Sequence, residues 1–278
     1  MILIADSGST KTDWCLADPH STTVFRTQGL NPFFLSSDEI AEIVSKDLLP
    51  QLPQVEVTEV YFYGAGCTPE KAPIIVDALT RHFHCEVHAH SDMLGAARAL
   101  CGNQPGIACI LGTGANSCLY DGRDICANVS PLGYILGDEG SGAVIGKIFV
   151  GDLLKNQLSE GLKEKFLSEY DLDLATIIDR VYRQPLPNRF LASFAPFIRK
   201  HLDVPEVRAL VLNAFDSFIR RNVLQYEGAS ELPIHFVGSI ARHFEEVLAE
   251  AVRSSRLTMG RILTAPVEGL REYHYTAQ

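Results

Sequence analysis

The chain starts twice. Ile4-Ala-Asp-Ser-Gly-Ser9 can be laid over Ile110-Leu-Gly-Thr-Gly-Ala115, and, after a short gap, Trp14-Cys-Leu-Ala-Asp18 over Ser117-Cys-Leu-Tyr-Asp121. A repeat of roughly a hundred residues is too long for a solenoid, whose units run to about 20–50. It implies two similar α/β units, each opening with an apolar strand, a Gly-rich turn and a second strand. A length of 278 residues suits two domains at roughly 150 each.

In the first unit the pattern predicts strands at Ile2–Ala5, Trp14–Ala17 and Thr22–Thr27, then a helix over Asp38–Leu49 capped by Ser36 or Ser37 and stopped by Pro50. Val57–Tyr63 and Cys85–His90 read as strands, Glu70–Phe83 and Asp92–Cys101 as helices, the last capped by Ser91. The second unit repeats this with strands at Gly106–Leu111, Ser117–Tyr120 and Asp124–Val129, and a helix from Gly140 or Ser141 to about Leu154. A helical block then runs from about Ser159 to Gln225, with apolar stripes at Phe190, Phe194, Phe197 and Ile198, and at Leu210, Val211, Ala214, Phe218 and Ile219. Strand Pro233–Val237, helix Ile240–Val252 and strand Leu257–Ile262 follow. The expected domains are 1–103 and 104–278, the second holding a helical insertion at about 159–227.

Lys plus Arg is 24 and Asp plus Glu 34, so the net charge is 24 − 34 = −10. That sign argues against a nucleic-acid backbone or an anionic membrane as partner. Hydrophobic residues at 46% and charged residues at 21% describe a packed protein, with no apolar run near the ~20 residues of a membrane span. Seven cysteines, with no C-x-x-C pair, fit neither a disulfide framework nor a zinc site. The start, Met1 to Ala5 and then Asp6, lacks the basic and apolar regions of a secretory signal, so the expected compartment is the cytoplasm.

The two Gly-rich turns carry the chemistry. In Asp6-Ser-Gly8-Ser9-Thr10-Lys11-Thr12 the small residues let backbone N–H groups face a phosphate, and Thr10, Lys11 and Thr12 can each donate to its oxygens. Asp6, at a strand end, suits a Mg²⁺ held through water. Gly112-Thr113-Gly114 offers the same cradle, and two equivalent turns suggest a phosphate chain gripped from both sides. Neither a P-loop nor a G-x-G-x-x-G follows a strand. Asp92 sits in the first turn of a helix, where the helix dipole should keep a carboxylate ionised. His82, His84, His88 and His90 straddle a helix end and a strand, with only Cys85 and Glu86 beside them, and no metal site is expected there.

Taken together, DSGSTKTDW (Asp6–Trp14), GLNP (Gly29–Pro32), SDMLGAARA (Ser91–Ala99), LGTGANS (Leu111–Ser117), GDEGS (Gly137–Ser141) and VGSIA (Val237–Ala241) resemble the sugar kinase/Hsp70/actin ATPase superfamily. Within it they resemble the N-acetylglucosamine kinase and BadF/BadG/BcrA/BcrD-type ATPase group. The resemblance spans nearly the whole chain. It implies two RNase H-like (actin-like ATPase) α/β domains with a cleft between them that takes ATP and Mg²⁺. It also implies Asp92 as the base that accepts the proton of a sugar hydroxyl, and Asn31, Asp138 and the backbone around Gly133 as sugar contacts. Gly8, Ser9, Thr10, Lys11, Thr12, Gly112, Thr113 and Gly114 would lie on the phosphates, and Gly238 and Ser239 on the adenosine side. Leu132-Gly133 stands where such kinases often carry Trp-Gly.

The expected activity is therefore transfer of the ATP γ-phosphoryl group to a hydroxyl of an amino sugar, N-acetylglucosamine first, giving the 6-phosphate. The partners expected are small molecules, and a homodimer is allowed. The alternative is a BadF-type ATPase that activates a partner enzyme through an iron–sulfur cluster. It needs accessible thiolates at a dimer axis, and it has no use for GDEGS or GLNP.

Overall fold

The computed structural model describes residues 1–8 and 11–276. The chain divides into two compact units. One comprises Met1–Gln104, Asp121–Ile125 and the C-terminal stretch from Ala265; the other Pro105–Tyr120 and Cys126–Thr264.

The first unit is built on a five-stranded sheet of order β3-β2-β1-β4-β5, from β1 (Ile2–Ser7), β2 (Lys11–Ala17), β3 (Thr22–Gln28), β4 (Glu59–Gly64) and β5 (Glu86–Ser91). β1 pairs antiparallel with β2 and parallel with β4, and β4 parallel with β5. Leu3, Ala5, Trp14, Leu16, Val60 and Phe62 form the sheet's part of a buried core. Onto it pack α1 (Ser37–Ile43) and α2 (Ala72–Thr80), through Ile40, Ile75 and Leu79. α1 starts where the sequence puts it, because Ser36 and Glu39 close a reciprocal capping box. α3 (Asp92–Cys101) follows β5 without a loop, its first turn capped by the Ser91 hydroxyl.

The second unit repeats the plan with sheet order β10-β9-β6-β7-β8: β6 (Gly106–Leu111), β7 (Ala115–Tyr120), β8 (Ile125–Ala127), β9 (Pro233–Val237) and β10 (Thr258–Leu263). A short α4 (Gly133–Leu136) occupies what the sequence presents as a loop, entered through Leu132 in a left-handed conformation. α5 (Gly142–Leu154) is capped by Ser141. The helical block is α6 (Leu162–Glu169), α7 (Leu174–Tyr182), α8 (Pro187–Ala192), α9 (Ala195–Lys200) and α10 (Pro205–Arg221). Both predicted stripes are core, with only Phe190 partly buried. Phe166 meets Phe194 and Phe197 edge-on at 4.9 and 5.2 Å, a geometry worth ~1 kcal/mol per pair beyond burial. The helix expected at Ile240–Val252 is two, α11 (Ser239–His243) and α12 (Glu245–Ser254).

The chain end departs from expectation. α13 (Val267–Thr276) follows β10, yet packs against α3 in the first unit. A Cβ on Gly269 would lie 2.3 Å from the Ala99 carbonyl oxygen, so only glycine lets the two helices come this close.

Candidate active site

In the first unit three parallel strands end together. Ser7 of β1 is in register with Gly64 of β4, and Gly64 with Ser91 of β5. Asp6 and Asp92 therefore share the carboxyl edge of one sheet, where ligands of open α/β sheets bind. Both are only partly open to solvent. The Asp6 carboxyl is pushed up to about 7, by burial first and then by the charges of Asp92 and Asp13, with Lys11 offsetting them only in part. Asp92 is also raised, by burial. Its Oδ1 accepts the Met93 N–H at 2.9 Å, which opposes the rise. Desolvation thus raises Asp92 while the helix N–H groups hold it down, the two acting in opposite directions on one carboxyl.

The β1–β2 turn is tighter than the sequence suggests, since β2 begins at Lys11. Thr12 is consequently a strand residue, fully buried. Its hydroxyl donates to the Gln28 carbonyl at 3.1 Å and lies 2.8 Å from the Ser7 hydroxyl, so it does not face a phosphate. Lys11 pairs with Asp13, which also accepts from Arg26 Nε at 2.7 Å. Gly8 is exposed, its N–H bonded to the Lys11 carbonyl at 3.0 Å. Ser9 and Thr10 lie outside the described residues.

Asn31 belongs to the same unit. Its Oδ1 accepts the Phe33 N–H at 2.9 Å, and its carbonyl accepts from Phe34 and Leu35. That leaves the carboxamide N–H₂ to meet an acceptor such as a hydroxyl oxygen. Beneath it lies Gly66, with φ +75°, where a Cβ would stand 2.4 Å from Asn31 Oδ1 and 2.8 Å from the Phe33 ring. The sequence reading missed Gly66; its signal was Gly64-Ala65-Gly66 directly after a strand.

Three motifs of the second unit meet at one place. The Gly112 carbonyl accepts the Gly142 N–H at 2.8 Å, and the Thr113 carbonyl the Ala143 N–H at 3.1 Å, tying the Gly-rich turn to the head of α5. Gly238 has φ +125°, and a Cβ there would stand 2.3 Å from the Leu111 carbonyl oxygen and 3.4 Å from the Gly112 nitrogen. Gly238-Ser239 and Gly112-Thr113-Gly114 are therefore adjoining walls. Asp138, itself at φ +53°, brings Oδ2 to 3.0 Å from where a Gly114 Cβ would be. Burial pushes its carboxyl up to about 6, eased by N–H groups of Ala115 and Gly133. Glu139 turns away, held by Arg221 and Asn222. Gly133, at φ +75°, opens α4.

An all-oxygen, acidic donor set is what a hard divalent cation requires. Asp6, buried and crowded by the carboxylates of Asp92 and Asp13, fits Mg²⁺ in that sense.

The chain matches no family model and no curated protein sequence. Among solved structures it superposes on a candidate N-acetylglucosamine kinase from Porphyromonas gingivalis with a TM-score of 0.96 and 56% sequence identity, covering 99% of both chains. The chain belongs to the N-acetylglucosamine kinase family of sugar kinases. Two more distant likenesses concern the fold alone. A candidate N-acetylglucosamine kinase from Chromobacterium violaceum gives a TM-score of 0.73 at 19% identity over 98% of this chain and 99% of that one. A candidate sugar kinase from Cytophaga hutchinsonii gives 0.51 at 16% over 99% and 100%.

Five of the seven cysteines are packing residues, Cys85 is half-buried and Cys126 exposed. Cys15, Cys67, Cys101, Cys109 and Cys118 are buried, and burial pushes the Cys15 and Cys67 thiols up to about 11. One exposed thiol is fewer than the four ligands a cluster takes, so the cysteines do not favour the cluster-carrying alternative. No described helix is long and apolar enough to cross a membrane.

Proposed function

We propose that the protein transfers the γ-phosphoryl group of ATP to a hydroxyl of an amino sugar, N-acetylglucosamine being the substrate and O6 the acceptor. The observation that carries this is Asp92, a buried carboxyl raised above its ordinary range at the head of α3, in a chain 56% identical to a candidate N-acetylglucosamine kinase. A raised carboxylate is a better proton acceptor, and a phosphoryl transfer with a loose transition state asks mainly that the acceptor hydroxyl be positioned and its proton taken.

Asp92 takes that proton. The carboxamide N–H₂ of Asn31 would hold one hydroxyl, and the carboxyl of Asp138, with the backbone at Gly133 next to it, another. N–H groups of Thr113 and Gly114 bind phosphate oxygens, Gly8 and Gly112, whose own N–H groups close the two turns, let the chain come close to them, and Lys11 adds positive charge. Ser9 and Thr10 belong to the same cradle by sequence. Gly238 and Ser239 form the wall on the nucleoside side. Asp6 would hold Mg²⁺, which when bound neutralises charge on the β- and γ-phosphates.

A coupled assay of ADP release over a panel of amino sugars, with N-acetylglucosamine, glucosamine and N-acetylmuramic acid in separate wells, tests this. N-acetylglucosamine should stimulate release most. No stimulation by any of them would remove the kinase reading.

A further inference from the structure

The histidines of β5 have a neighbour that the linear sequence hides. Parallel pairing of β4 with β5 sets Glu59 opposite Glu86 and Tyr61 opposite His88. With a side-chain period of two, Glu59, Glu86 and His88 all rise from the same face of the sheet, at its outer strand. One ligand atom from each lies within 4.8 Å of the other two, and His88 Nε2 is 3.5 Å from Glu86 Oε1.

Two carboxylates alone would be ordinary protection of an exposed edge. The imidazole and its support make the difference. The His88 ring stacks on Tyr61 at 4.9 Å and 13°, and Tyr61 is itself stacked on His274 of α13 at 3.7 Å. The ring is thereby held in one orientation. The Tyr61 hydroxyl donates to Glu59 Oε2 at 2.9 Å, leaving Oε1 for another partner. An outer partner that fixes a ligating carboxylate in this way is what metal sites carry behind their ligands.

We propose that Glu59, Glu86 and His88 form a binding site for a divalent transition metal ion of the zinc class. Two carboxylates and one neutral imidazole balance a 2+ charge. Tetrahedral zinc, at about 2.0–2.2 Å from each ligand, needs ligand atoms about 3.3 Å apart. The His88–Glu86 pair already has nearly that spacing, and the exposed Glu86 side chain closes the rest by rotation. A nitrogen ligand selects against Mg²⁺, which takes oxygen. Water completes the fourth position. The ion clamps the outer strand to its neighbour at the strand's first residues, six before Asp92, and its role is structural. The proposal is independent of the sugar-kinase reading.

The test uses the full chain stripped by a chelator, titrated with Zn²⁺ by calorimetry in excess Mg²⁺ so that the carboxylates at Asp6 and Asp92 do not compete. Wild type should take one Zn²⁺ per chain and melt at a higher temperature with it. H88Q and E59Q should each weaken that binding by 100-fold or more, on the order of a lost ligand, and Y61F by ~10-fold. Substituted Co²⁺ should give a tetrahedral visible spectrum that H88Q abolishes. Melting of the metal-free variants checks that they fold. Absence of Zn²⁺ binding under excess Mg²⁺ overturns the proposal. So does Zn²⁺ binding that H88Q and E59Q leave intact, which would put the ion on thiols or elsewhere.

Discussion

The Tyr63 hydroxyl lies 2.9 Å from Nε2 of His274, joining β4 to a helix 211 residues further along the chain. Arg98 Nη1 of α3 donates to the same hydroxyl at 3.0 Å, and the hydroxyl's own proton is satisfied when His274 Nε2 accepts it. A neutral imidazole suits that arrangement. Burial, followed by the charges of Arg98, His88 and His90, pushes His274 down to about 3, against about 6.5 in an unfolded chain. Between those values the unfolded chain binds a proton that the folded chain refuses. This contribution is complete above pH 6.5 and is lost as the pH falls towards 3, by up to about 1.4 kcal/mol per pH unit. Urea unfolding at pH 7, 5.5 and 4.5, in metal-free buffer, should show a shallower loss for His274→Gln, whose amide oxygen still accepts from Tyr63. Parallel losses in the two proteins would show that His274 is not the acid-sensitive group.

Asp92→Asn keeps the size of the side chain and the start of α3. The amide cannot accept a proton, so kcat should fall on the order of 10²–10⁴-fold, with sugar affinity by calorimetry changed far less. Thermal stability should hold or rise, since a buried carboxyl is costly to ionise. A variant with sugar-stimulated ADP release equal to wild type would take Asp92 out of the chemistry.

What the sequence made legible follows from how local each signal is. Ser91-Asp92 after a strand reads as a helix head because a cap acts within three residues, and the two Gly-rich turns read as turns for the same reason. Thr12 misled because the length of the β1–β2 turn is set by pairing of Asp6 with Asp13 across the hairpin, which no single residue announces. α13 was missed because its place depends on Gly269 fitting over the Ala99 carbonyl and on Tyr275 Oη donating to the Ala17 carbonyl at 2.7 Å. Both are long-range contacts. The Glu59–Glu86–His88 cluster was invisible for a like reason: a parallel register, not spacing along the chain, assembles it.

Gly66→Ala probes how Asn31 is held. The added methyl collides with the carboxamide and the Phe33 ring, and φ +75° strains any residue with a Cβ, at a cost of about 1–2 kcal/mol. KM for the sugar should rise about tenfold or more while kcat at saturation changes little, because Asp92 is untouched. Asn31→Ala should do the same, and the double variant should be no worse than the worse single. Additive effects would mean that Gly66 does not act through Asn31.

Gly238→Ala separates the nucleotide wall from the sugar contacts. At φ +125° an alanine is strained, and its methyl would stand 2.3 Å from the Leu111 carbonyl oxygen, a backbone atom that cannot swing aside. The collision can be relieved only by moving β6 or the head of α11, and either shift drags Gly112, whose nitrogen is 3.4 Å from the same methyl. A loss of ~2 kcal/mol in stability is expected, in line with strain at a special backbone conformation. Misplaced N–H groups grip phosphates poorly, so KM for ATP should rise tenfold or more, roughly the loss of one charge-assisted hydrogen bond. Asn31 and Asp92 stand on other elements and only Asp138 adjoins the displaced turn at Gly114, so sugar binding measured without nucleotide should weaken much less than ATP binding. Unfolding in urea, ATP titration of ADP release and sugar calorimetry read the three quantities separately. Sugar affinity falling in step with ATP affinity would show that Gly238 supports the whole second unit rather than the nucleotide wall.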